Sequence, residues 1–95
     1  MGGFVAICEI ALVIPNALSL KDKRQAVRSV VERVRSRCGA SVAESDFLDV
    51  WQRAGLVVAI VSGRRDDLER RVNLVRRIVD DNDAVEVGEF FVDWL

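Results

Sequence analysis

Between Phe4 and Ile14 the chain reads Phe-Val-Ala-Ile-Cys-Glu-Ile-Ala-Leu-Val-Ile, and Glu9 alone interrupts the apolar run. Side chains on a strand point alternately to opposite faces, so a strand wetted on one side alternates apolar and polar residues. This segment does not alternate, and both of its faces need cover. Leu56 to Val61 (Leu-Val-Val-Ala-Ile-Val) repeats the pattern. In a chain of 95 residues, two such strands carry more apolar surface than the remaining elements can hide. That surplus calls for a partner.

The rest of the chain supplies the remaining elements. Pro15-Asn16 is a turn signal after the first strand. Ser19 reads as a helix N-cap, with Asp22 as a capping-box partner and Gly39 as the residue that ends the helix near Arg37 or Cys38. Leu20, Val27, Val30, Val31, Val34 and Cys38 share one face of that helix at 100° per residue. Ala40 to Asp46 reads as a short polar strand suited to a sheet edge. Phe47 to Arg53 fits a helical turn and a hairpin arm equally. The second two-faced strand spans Ala54 to Val61 or Ser62. After Gly63, Asp66 and Glu69 give a second capping signal, and Leu68, Val72, Val75, Ile78 and Val79 form a helical apolar face. That helix stops near Asp80-Asp81-Asn82-Asp83, and a last strand from Ala84 to Trp94 carries Glu86, Glu89 and Asp93.

The order β-α-β-β-α-β is the split arrangement of a ferredoxin-like α+β sandwich. It predicts one domain over residues 1–95, an antiparallel four-stranded sheet in the order 4-1-3-2, and both helices on one face. The two strands apolar on both sides are the first and third, which this topology places in the middle. The other sheet face is left without a helix. The expected cover is a second copy of the chain, giving a homo-oligomer with a dimer as the first expectation. The alternative is that Phe47, Leu48, Trp51, Trp94 and Leu95 fold back over it within one chain.

Charge is balanced globally, at a net of −1, and nothing global drives the chain toward nucleic acid or anionic lipid. Locally it is not balanced. Ser19-Leu20-Lys21-Asp22-Lys23-Arg24 opens the first helix with cations where the helix end already carries partial positive charge. Local rules tend to be broken at functional sites. Lys21, Arg24, Arg28 and Arg35 fall on one stripe of the helical wheel beside the apolar face. With Lys23 they are the candidate contacts for a phosphate or RNA backbone; a solvated helix face paired with acidic neighbours is the plainer reading. Lys23 itself falls inside the apolar arc and needs a carboxylate or a route out to water, with Glu9 as one candidate partner. Trp51-Gln52-Arg53 forms a second candidate, either a stacking site for a planar ligand at a subunit interface or a packing anchor.

Other chemistries have little support in the residues. Histidine is absent, which removes the commonest general base and neutral metal ligand. Cys8 and Cys38 lack CxxC spacing and read as buried free thiols of a reducing compartment. No P-loop, GxGxxG or GxSxG is present, and no catalytic residue, metal or cofactor is assigned. An enzymatic site would need Lys23, Glu9 and Glu44 gathered in one pocket. The aliphatic middle strands and acidic last strand do not suit base stacking on the sheet, so RNA contact is expected on the first helix. No run of about 18 apolar residues exists to span a bilayer, and the N-terminus lacks a signal peptide's basic start, so the expected location is cytoplasmic. Arginine in place of lysine, as twelve of fourteen cations, fits a hot-living organism or a GC-rich genome.

Ser-Leu-Lys-Asp-Lys-Arg at Ser19 to Arg24, Ser-Val-Ala-Glu at Ser41 to Glu44 and Trp-Gln-Arg-Ala at Trp51 to Ala54 together resemble the blocks of the YlxP-like proteins, a family of short bacterial proteins of unknown function. The resemblance covers nearly the whole chain. It implies a ferredoxin-like α+β domain and, through genes that often neighbour those of a translation initiation factor and a ribosome-binding maturation factor, a role around the ribosome or RNA. It supplies no catalytic residues.

Overall fold

The computed structural model describes residues 2–95. Six elements follow in order: β1 (Phe4–Val13), α1 (Leu20–Cys38), β2 (Ser41–Asp46), β3 (Arg53–Ser62), α2 (Arg65–Asp80) and β4 (Glu86–Trp94). The strands form one antiparallel sheet in the order β2-β3-β1-β4. This is the ferredoxin-like α+β arrangement, and the order is the expected one read from the opposite edge. The two-faced strands β1 and β3 pair along their whole length, from Phe4 with Ser62 to Val13 with Arg53.

Alternation along β1 and β3 divides their side chains between two environments. Ala6, Cys8, Ile10 and Leu12 of β1 and Ala54, Leu56, Val58 and Ile60 of β3 lie beneath the helices, each no more than 2% exposed. Val30, Val34 and Cys38 of α1 and Leu68, Val72, Val75 and Val79 of α2 close that core from above. Val5, Ile7, Glu9, Ala11 and Val13 on β1 and Arg53, Gly55, Val57, Ala59 and Val61 on β3 point the other way. No helix reaches that side. Val61 is 65% exposed there, and Phe91 of β4, paired with Glu9, is 67% exposed. The chain's own tail does not cover it. Trp94 stands on the helix side beneath the Arg65 guanidinium, 4.8 Å from its ring centre, and Leu95 bonds back to the Val5 carbonyl.

The caps explain the helix limits. Ser19 accepts the Asp22 N–H, and the Asp22 carboxylate accepts the N–H of Leu18. Gly39 takes the left-handed conformation, φ 57°, that a residue without a Cβ adopts at no steric cost. The capping signal expected at Asp66 is displaced. Arg64 is the N-cap and has no side-chain cap; Ser62 accepts the Arg64 N–H, and Asp66 and Asp67 lie in the first helical turn instead. Phe47 to Gln52 forms neither a helix nor a strand arm. It is a loop of tight turns in which the Val50 N–H reaches the Phe47 carbonyl and Phe47 itself holds φ 58°.

Both rims of the sheet are irregular. The β2–β3 pairing slips between Glu44 and Asp46, and the β1–β4 pairing slips between Ala11 and Leu12. Gly55 lies beneath the first slip, where an added Cβ would meet the Asp46 Cβ at 2.7 Å.

Candidate functional site

The three sequence blocks converge on one pole of the molecule. Lys23, in the first turns of α1, is 2% exposed, the sole buried charged residue among those described. Its ammonium lies 3.1 Å from the Glu44 carboxylate of β2 and donates to the Phe47 carbonyl. Glu44 is the partner, and Glu9 is not. Register explains this: Glu44 pairs with Leu56, on the helix side, whereas Glu9 points to the open face. The carboxylates Glu9 and Glu44 are therefore on opposite sides of the sheet, and no one pocket gathers them with Lys23. The third block ties in through Gln52. Its side-chain amide donates to the Ala17 carbonyl at 3.2 Å, and the Gln52 backbone carbonyl accepts the Ile14 N–H at 2.9 Å.

This internal lacing holds an apolar tip outside. Leu18, Leu48, Val50 and Trp51 are 75%, 61%, 43% and 49% exposed, and all belong to the two loops that Lys23 and Gln52 pull together. Trp51 and Arg53 part company at this point. Trp51 stays on the tip, while Arg53 turns to the open face and stacks over the Phe47 ring at 4.2 Å.

Of the α1 candidates, Lys21, Arg24 and Arg28 are exposed and make no ion pair or side-chain hydrogen bond among the described residues. Arg35, seven residues past Arg28 on the same flank, donates to the Val42 carbonyl at 2.8 Å. That bond shows which way the flank faces: it runs along the β2 edge. From Lys21 to Arg35 the stripe extends about 20 Å along the helix axis. α2 is organised differently. Arg65 pairs with Glu69, and Arg70 and Arg71 with Asp67. Arg71 also donates to the carbonyls of Cys38, Gly39 and Val61, closing the C-terminus of α1. Hydrogen bonds from Arg70 and then Ser62 hold the Asp67 carboxyl down at about 2.

A groove of about 450 Å³ lies on the open face toward the same pole. Its walls carry Phe47 and Arg53 on one side and Glu89 and Phe91 on the other, with Glu9, Ala11 and Gly55 between. Neither Cys thiol reaches it: Cys8 and Cys38 are buried and free. Burial pushes the Cys8 thiol up to about 11 and raises that of Cys38, so both stay protonated and inert. Among the described residues no group of three or more His, Cys, Asp or Glu is placed to hold a metal ion. No helix among them is long and apolar enough to cross a membrane.

Comparison with known proteins agrees with the sequence blocks. A family model described as a protein of unknown function, DUF503, matches residues 5–91. The uncharacterized protein YlxP of Bacillus subtilis (strain 168) is 29% identical over 90 residues, covering 95% of this chain and 98% of that protein. A solved structure described as structural genomics protein YJCS superposes with a TM-score of 0.54 over 94% of this chain and 96% of its own, at 8% identity, a likeness of fold alone.

Proposed function

The chain belongs to the DUF503 family of proteins of unknown function, and from that premise we propose that it is a non-enzymatic oligomeric module that binds an RNA backbone along the free flank of α1. The observation that carries this reading is the unpaired state of Lys21, Arg24 and Arg28 beside a second helix whose arginines are mostly spoken for. An exposed cation with no protein partner keeps its full attraction for a phosphate. The three free cations span about 10 Å along the helix axis, which suits successive phosphates better than one small anion. Lys23 serves from within, by holding the Phe47–Gln52 loop against the first turns of α1, and Trp51 offers a stacking face at the end of the stripe. The open sheet face supplies the oligomer contact.

The test is fluorescence anisotropy with a 20-nucleotide single-stranded RNA. Three phosphate contacts give a fall in affinity of about tenfold to twentyfold between 50 and 200 mM salt. The variant Lys21→Glu/Arg24→Glu/Arg28→Glu should lose binding altogether. Wild-type affinity in that variant would overturn the assignment.

A second reading has its own observation, the open-face groove lined by Arg53, Phe47 and Phe91. There a small anionic ligand would lie on Arg53 between two copies of the chain. Thermal-shift screening separates the two readings: anionic metabolites raise the melting temperature under the second, and RNA alone does so under the first.

A further inference from the structure

We propose that the groove on the open sheet face binds a linear aliphatic polyamine, laid across the strands with one ammonium group at Asp46 and another at Glu89. The proposal goes beyond the RNA reading and does not depend on it, and it opposes an anion in the same groove.

The strand pairings put four residues in one row across the sheet. Asp46 of β2 pairs with Gly55 of β3, Gly55 with Ala11 of β1, and Ala11 with Glu89 of β4. The floor of the groove is therefore made of small residues, and a carboxylate stands at each end. Both slips in strand pairing fall at this level, one between Glu44 and Asp46 and the other between Ala11 and Leu12. A slip of this kind bends its strand and re-aims a side chain. At β2 the result is direct. A Cβ on Gly55 would stand 2.7 Å from the Asp46 Cβ, so the aspartate leans in over β3 where glycine leaves room. At β4, Gly88 lies close against Ala11, and a Cβ added there would stand 3.4 Å from the Ala11 carbonyl oxygen. Three strand spacings, about 14 Å, separate the backbones at the two ends of the row. The inward lean of Asp46 shortens the span between the carboxylates.

Charge chooses the occupant. Glu9, Asp46 and Glu89 line the groove against Arg53 alone, a net of −2. All three carboxylates are exposed, and none makes an ion pair among the described residues. The Arg53 guanidinium is already turned onto the Phe47 ring. An anion placed there meets three like charges, whereas a cation meets three opposite ones. The shape of the groove then chooses the body of the ligand. A compact cation reaches one end of the row. A chain of methylenes with a charge at each end reaches both, and its apolar middle lies on Ala11 and Gly55. Phe47 and Phe91 flank that floor, and aromatic faces attract ammonium groups. The volume, about 450 Å³, is within the range of small-ligand sites. Val5, Ile7, Ala59 and Val61 lie at the opposite end of the open face, clear of the groove.

Isothermal titration calorimetry of the whole protein, free of RNA and at 50 mM salt, tests this with spermidine. Binding should saturate at one spermidine per chain. Of two shorter probes, 1,4-diaminobutane should bind about tenfold more tightly than 1-aminobutane, which can satisfy one carboxylate alone. Asp46→Asn/Glu89→Gln should weaken spermidine about tenfold or more. Asp80→Asn/Asp81→Asn/Asp83→Asn removes more charge at a distant place and should leave the affinity within about twofold. Ala11→Leu fills the floor without changing charge and should also weaken binding about tenfold. Arg53→Ala removes the one repelling charge and should tighten it severalfold. Thermal unfolding of each variant checks that the fold is kept. Absence of saturable binding overturns the proposal. Equal weakening by the two neutralising variants does so too, since the attraction is then diffuse, and loss of binding in Arg53→Ala would reject the assigned charge roles. RNA affinity is read separately by anisotropy, so either reading can fail without the other.

Discussion

The two helices pack on the same sheet face and are equally rich in arginine, yet they use it in opposite ways. α1 carries seven cations against two anions, a net of +5, and α2 carries five against four, a net of +1. On α2 the arginines are structural. Arg71 ties together three carbonyls from α1, Gly39 and β3, and Arg76 lies over the Phe90 ring at 4.1 Å. On α1 the structural work falls to buried Lys23 and to Arg35 at the Val42 carbonyl, while Lys21, Arg24 and Arg28 are exposed with no ion pair or side-chain hydrogen bond among the described residues. The lesson is that arginine content says little by itself; what separates a scaffold from a binding surface is whether each cation has already found its anion.

The largest effect on this contrast should come from Lys23→Met. It leaves Glu44 unpaired and the Phe47 carbonyl without its donor, and should cost about 2–3 kcal/mol, since Glu44 keeps some access to water. Chemical denaturation measures it, and Lys23→Met/Glu44→Leu should recover most of the loss because no charge is then stranded. Next, Arg71→Ala should cost about 2 kcal/mol and lower the melting temperature by roughly 10 °C, with no change in RNA affinity. Lost RNA affinity in the folded variant would blur the division between the helices.

The acid limb of stability sharpens it further. Asp67 is held at about 2, below the ordinary value of 3.8, so its contribution is present above about 3.8 and lost as pH falls through about 2. Asp67→Asn should therefore flatten the dependence of melting temperature on pH over that interval. Smallest of all, the triple glutamate variant at Lys21, Arg24 and Arg28 should shift stability by about 0.5 kcal/mol or less despite six units of charge change, because those exposed side chains make no ion pair or hydrogen bond among the described residues. A loss several times larger would mean that the stripe is part of the scaffold after all.

Much of this was legible in the chain. Apolar runs at Phe4–Ile14 and Leu56–Val61 named the middle strands, Ser19 and Gly39 marked the limits of α1, and the open face followed from counting helices. Helix periodicity also put Lys23 inside the apolar arc. Its partner was not legible, because choosing Glu44 over Glu9 requires the strand register, and that register is set by long-range pairing. The Phe47–Gln52 loop escaped for a related reason. Its shape depends on the left-handed Phe47 and on the Lys23 bond to its carbonyl, neither of which leaves a mark in local composition. Trp51 and Arg53, two residues apart in sequence, looked like one site and point to two.

The irregular rims of the sheet carry a last consequence. β2 is short and polar, slips its pairing at Glu44–Asp46, and has the Val42 carbonyl occupied by Arg35. β4 slips beside Gly88 and bears Glu86, Glu89 and Asp93. Neither offers a clean template for another strand, so a crowded solution of this protein has no easy route into ribbons or fibrils.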